Sequence, residues 1–80
     1  MSAAEAQEVK SQLLRDNDQY RQLAERHHEL DDRLHKLTEK NYLSDTEQFE
    51  EVTLKKRKLA VKDQMEAIAR DYASHYEHQA

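Results

Sequence analysis

Asn41-Tyr42-Leu43-Ser44-Asp45-Thr46-Glu47 is the stretch on which the fold turns. Ser44 and Glu47 have the S-x-x-E spacing of a capping box. In that motif the serine hydroxyl takes a backbone N–H three residues on, and the glutamate reaches back to the serine N–H. Asp45 adds negative charge in the first turn, where the helix dipole favours it. A helix therefore begins at Asp45. The helix before it must end near Asn41, because asparagine tolerates the left-handed conformation that closes many helices. So short a connection between two long helical patterns makes them antiparallel neighbours.

Upstream, Tyr20, Leu23, His27, Leu30, Leu34 and Leu37 recur in steps of three and four. That spacing is an a/d seam on one stripe of a helix, predicted over residues 18–40. At i,i+4 spacing on its other faces, Glu29–Arg33 and Asp32–Lys36 attract, while Glu25–Glu29 repel. Asp16-Asn17-Asp18 interrupts the pattern. Asn17 is the predicted N-cap, since its side chain can satisfy a free N–H of the first turn. A weaker helical signal, with Val9 and Leu13 as its apolar face, runs over residues 3–15.

Downstream, the helix predicted over 45–76 carries two apolar stripes. Leu54, Val61, Met65, Ile68, Tyr72 and Tyr76 share one side. Phe49, Val52 and Leu59 lie nearly opposite, extended by the small residues Ala60 and Ala67. One partner helix cannot cover both stripes. Either a second chain covers the outer one, or the N-terminal segment folds back onto it. Small scaffolds without disulfides or metals commonly rely on oligomerisation for the missing core. The expectation is therefore a homodimer or tetramer.

Composition agrees with this shape. Charged residues, at 38%, outnumber hydrophobic ones, at 36%, so a compact ball is not expected. Glycine, proline and cysteine are all absent, which removes the usual helix breakers and turn formers as well as disulfide chemistry. High charge alone would favour disorder, but a net charge of only −4 and the strong apolar periodicity argue against it. No stretch approaches the ~20 apolar residues of a membrane span. The N-terminus lacks the basic start and apolar core of a secretory signal. A soluble cytoplasmic protein is the default expectation. The fold class is all-α: an antiparallel helical hairpin with coiled-coil character over residues 17–80, preceded by a short helical segment, 1–16, that frays at its end.

Asn17, Tyr20, Leu23, His27-x-x-Leu30-Asp31, Ser44-Asp45 and the block Leu54-Lys55-Lys56-Arg57-Lys58-Leu59-Ala60-Val61-Lys62-Asp63-Gln64-Met65 occur here in order. This arrangement resembles the YdcH-like family of short bacterial proteins, a domain of unknown function, over about residues 12–70. The basic block is the most specific part of the likeness. Asn17-Asp18 departs from the Asn-Pro often found in the family, which weakens the enforced break there, because proline favours the first helical position. The first two segments could then be one kinked helix. The resemblance implies a helical hairpin and carries no activity with it.

Each candidate site has a plain structural alternative. His27 stands in the seam with Asp31 one turn on. It is either a pH switch of assembly, charging below about pH 6.5, or a packed histidine whose ring is satisfied by Asp31 or a cross-helix partner. His75 and His78 have the spacing of paired metal ligands, and His28 and His35 flank Asp32. Both sets read as solvated faces, and no metal or cofactor is expected. Lys55, Lys56, Arg57, Lys58 and Lys62 form a basic cluster that suggests nucleic acid. No aromatic platform accompanies it, however, and acidic residues lie upstream. Nucleic acid is thus not the expected partner, and these side chains read as flanks of a packing seam. Ser11, Ser44 and Ser74 have no evident base, and no catalytic residue is assigned.

The leading expectation is a structural or protein-interaction module. Its intramolecular seam is Leu23, His27, Leu30, Leu34 and Leu37 against Leu54, Val61, Met65 and Ile68. Its interface is Phe49, Val52 and Leu59, taking a second copy or a partner protein helix. A nucleic-acid-associated regulator using the Lys55–Lys62 cluster and a holdase-like hairpin are the alternatives.

Overall fold

The computed structural model describes residues 3–79, with side chains described for 3–74. It contains three helices: α1 (Ala3–Asp16), α2 (Asp18–Thr38) and α3 (Asp45–Gln79). The molecule is a rod of 53 × 19 × 19 Å. A helix of 35 residues spans ~52 Å at 1.5 Å per residue, so α3 alone sets the length of the rod. The fold is all-α, with α2 packed along α3 as a hairpin.

The hairpin core is the leucine seam. Leu30, Leu34 and Leu37 of α2 cluster with Leu54 and Val61 of α3, and Leu23 and Met65 pack against the edge of this cluster. Leu37 gives up its entire surface. Leu43, in the connection, also packs onto the cluster. It anchors the turn from its outer end, a role its loop position did not suggest. Among the described residues, every buried side-chain nitrogen or oxygen has a hydrogen-bond partner, so the seam carries no desolvation penalty from orphaned polar groups.

Local chemistry explains where the helices begin. The Ser44–Glu47 box forms reciprocally. The Glu47 N–H donates to Ser44 Oγ at 3.2 Å, and the Ser44 N–H donates to a Glu47 carboxylate oxygen at 3.2 Å. Asn17 caps α2 from an extended conformation, φ −119° and ψ 107°, its side-chain oxygen accepting from the Tyr20 N–H at 2.8 Å.

The α1–α2 boundary is a single extended residue, not a continuous kinked helix. The Asn17 N–H closes α1 on the Leu13 carbonyl at 2.9 Å, and the Asn17 carbonyl opens α2 by accepting from Arg21 at 3.0 Å. The Arg21 guanidinium then turns back and donates to the Leu14 and Arg15 carbonyls at 3.0 and 2.9 Å. The carbonyls of Leu13, Leu14 and Arg15 at the end of α1 are thus satisfied without glycine or proline.

The end of α2 differs from the expectation at Asn41. The helix stops at Thr38, and its C-cap Glu39 stays right-handed, with φ −74° and ψ −15°. Among the described residues no backbone adopts a positive φ. The chain instead tightens the last turn. Lys40 N–H donates to the Leu37 carbonyl at 3.2 Å in the i→i+3 manner, and the Thr38 hydroxyl donates to the His35 carbonyl at 2.8 Å. Carbonyls that a left-handed residue would have served are satisfied this way.

Away from the central cluster, Leu13, Tyr20 and Ala73 are buried, one on each helix. The Tyr72 hydroxyl donates to the side-chain oxygen of Gln12. The N-terminal segment therefore docks against α2 and the far part of α3. It does not fold over the outer stripe of α3.

Because Leu37 is fully buried, Leu37→Ala should lower unfolding free energy by about 2–5 kcal/mol. Urea denaturation followed by circular dichroism would measure this, with Leu59→Ala expected to change intramolecular stability far less.

Candidate interaction surface

Two flanks and one outer face surround the leucine seam, and their chemistry differs. On the flanks, ion pairs bridge the helices. Arg33 of α2 reaches Glu50 of α3 in a forked contact, Nε to one carboxylate oxygen at 2.6 Å and Nη2 to the other at 3.1 Å. Lys58 of α3 donates to Asp31 of α2, and Lys40 of the connection donates to Glu47. Two parallel donors on one carboxylate add directional specificity that a single point charge lacks. Arg33 was expected to pair with Glu29 along its own helix, and Asp32 with Lys36. Instead Arg33 crosses to α3, and Asp32 faces His28 at 3.5 Å. These cross-helix pairs become legible only once the seam has set the register of the hairpin.

The pairs shift ionisation in the expected directions. Glu47 is pushed down to about 2, chiefly by the hydrogen bond from Lys40 and then by the Ser44 N–H. The Arg33 guanidinium holds Glu50 below its ordinary value, and Lys58 does the same for Asp31. Burial pushes the Tyr20 phenol up.

The outer face of α3 is apolar and open. Phe49, Val52 and Leu59 are 74%, 51% and 59% exposed, on the side opposite Leu54 and Val61. α3 consequently has almost no net amphipathicity, although α2 is clearly amphipathic. Apolar residues on both sides of a helix cancel in its moment, and such helices are normally covered on both sides. Of the residues assigned to the intramolecular seam, Leu30, Leu34, Leu37, Leu54 and Val61 are buried, and Leu23, His27, Met65 and Ile68 are half-buried. Tyr76 lies outside the described side chains.

The basic run is distributed around α3. Lys55, Lys58 and Lys62 line an open groove with Asp31, Leu34 and His35. At 100° per residue, Lys56 and Arg57 fall on other faces. Lys55 is tied to Glu51 at 3.4 Å, and Lys58 to Asp31. Three of the five cations thus share one groove, two of them already paired with acids, while Lys56 and Arg57 lie apart from it.

His27 borders a second groove with Lys58, Lys62 and Glu66. Its expected neighbour Asp31 is engaged by Lys58, and the His27 ring makes no hydrogen bond among the described residues. His28 and His35 are exposed, the latter 3.1 Å from Glu39. Among the described residues no group of three or more histidine or acidic side chains is arranged to hold a metal ion. His75 and His78 lie outside the described side chains. No helix among the described residues is long and apolar enough to cross a membrane.

A helical hairpin with a leucine seam inside and an uncovered apolar stripe outside defines a small all-α module. The model of a family described as a protein of unknown function, DUF465, matches residues 21–69. The chain belongs to this family, and the YdcH-like resemblance read from its motifs agrees with that membership. The match takes in nearly all of α2, the connection and α3 as far as Ala69, and leaves α1 outside. No curated protein and no solved structure matches the chain.

The depressed carboxylates predict acid sensitivity. A carboxylate whose folded pKa lies below its unfolded value stabilises the fold fully above the unfolded value and loses that contribution as pH falls through the folded one. For Glu47 the window runs from its ordinary 4.5 down to about 2. The melting temperature should therefore fall between pH 5 and pH 2, and Glu47→Gln should flatten that dependence. Thermal melts of both proteins across this range would check it.

Proposed function

We propose that this protein is a structural, protein-interacting module, not an enzyme, and that it self-associates through the outer face of α3. The observation that carries this reading is the exposure of Phe49, Val52 and Leu59 on one stripe of a helix whose other stripe is already satisfied. Each such side chain, if fully buried, would contribute about 1.5–3 kcal/mol. The chain has no cysteine for a disulfide staple, and small scaffolds commonly gain missing core by assembly. The N-terminal helix, the other candidate cover, is committed elsewhere through Gln12 and Leu13. A binding role also suits the surface, whose Lys55–Lys62 and His27 hollows are open grooves between helices. Catalytic sites favour enclosed, largely apolar pockets with a few convergent polar groups.

In this reading the protein is a dimer or tetramer at micromolar concentration. Glutamate at both Val52 and Leu59 should dissociate it to monomers while helix content stays unchanged, because both side chains are exposed within the single chain. Light scattering after size exclusion, over a range of concentrations, reads the mass, and circular dichroism reads the helix. A wild-type monomer throughout that range would refute the proposal.

A further inference from the structure

The outer face of α3 carries charges whose order specifies how two copies meet. At 100° per residue, Phe49, Val52 and Leu59 share their stripe with Lys56, Asp63 and Arg70. All six are exposed. Among the described residues none of these three charged groups is in an ion pair or hydrogen bond. Lys56 and Asp63 stand seven residues apart, ~10.5 Å along the axis, so they cannot pair with each other in one helix.

We infer that the face binds a second copy of this chain, α3 against α3, antiparallel, about a two-fold axis between Leu59 and Ala60. This rests on the self-association proposed above and gives it a geometry. In that register Lys56 meets Asp63 of the second copy, and Asp63 meets its Lys56. Val52 packs on Ala67, and Leu59 on Ala60, each large side chain opposite a small one. Phe49 meets Arg70, whose guanidinium can lie on the ring. A two-fold axis perpendicular to the helices also brings like flanks together. Lys55 therefore approaches Glu66 of the second copy, as flanking positions of coiled coils do.

Other arrangements lose these matches. A parallel, in-register pair sets Lys56 against Lys56 and Asp63 against Asp63. Shifting the antiparallel axis half a heptad towards either end makes one of those same like-charge contacts on the axis. Like charges in register are what specific interfaces use to exclude wrong partners. The arrangement that joins Lys56 and Asp63 each to an opposite charge also brings the apolar residues together.

The chain has no cysteine, so single-cysteine variants report the register directly. Ala60→Cys should form a disulfide-linked dimer in a glutathione redox buffer, since the two sulfurs would flank the axis. Ala67→Cys should not, because its copies would be ~22 Å apart along the axis at 1.5 Å per residue, well beyond the ~7 Å Cα limit for a disulfide. Lys56→Asp should weaken association roughly tenfold or more, and adding Asp63→Lys should restore it. If both cysteine variants cross-link, the pair is parallel and the inference is wrong. If wild type self-associates but Ala60→Cys does not cross-link, or the charge swap fails to restore association, this register is overturned while self-association stands. A monomeric wild type removes both.

Discussion

Leu37 has no exposed surface because α2 is pressed onto α3 along one line of leucines, and the rest of the molecule depends on that line. Seam packing sets how far along α3 each residue of α2 lies. Once this register exists, Arg33 finds Glu50 and Asp31 finds Lys58 on the two flanks. These ion pairs decorate the seam and do not replace it, since exposed pairs contribute little unless their geometry is held for them. The forked Arg33–Glu50 contact is such a case, because the helices beneath it are already fixed.

The second constraint is one of length. α3 has 35 residues and α2 has 21, so one hairpin arm cannot cover the inner stripe of the other. α1 supplies the missing cover. Leu13 and Tyr20 are buried as Ala73 is, and Gln12 receives the Tyr72 hydroxyl. The Asn17 joint makes this possible with one extended residue, its two helix ends satisfied by the Asn17 side chain and the Arg21 guanidinium. With its inner stripe covered as far as Ala73, α3 still presents Phe49, Val52 and Leu59 outward. The proposed self-association would cover this outward stripe, whose interleaved Lys56 and Asp63 would give the contact its charge pattern.

The family match over residues 21–69 fits this division. It covers the hairpin, whose seam and capping box define a self-consistent unit, and omits α1, the element that extends the cover over the far end of α3. The basic block that carried the resemblance has two structural roles. Leu54 and Val61 build the seam, and Lys58 reaches Asp31 across it. Lys55 and Lys62 line the same groove as Lys58, and Lys56 and Arg57 fall on other faces.

Helix starts and apolar stripes were legible from the residues alone. The Ser44–Glu47 box, the Asn17 cap, the α2 seam and the double stripe of α3 follow from side-chain reach and the 3.6-residue period. They need no knowledge of what lies across the chain. Contacts that depend on register were not legible: Arg33 with Glu50 in place of Glu29, Leu43 packing against the core, and α1 docking beside Tyr72. The right-handed end of α2 at Thr38 belongs with them, since the backbone there chose among several ways to satisfy its carbonyls. The sequence by itself determined which helices form and which faces are apolar, because both are set by neighbours three and four residues away. Only the tertiary structure decided which stripe of α3 is covered, because that depends on how far each shorter helix reaches along the longest one.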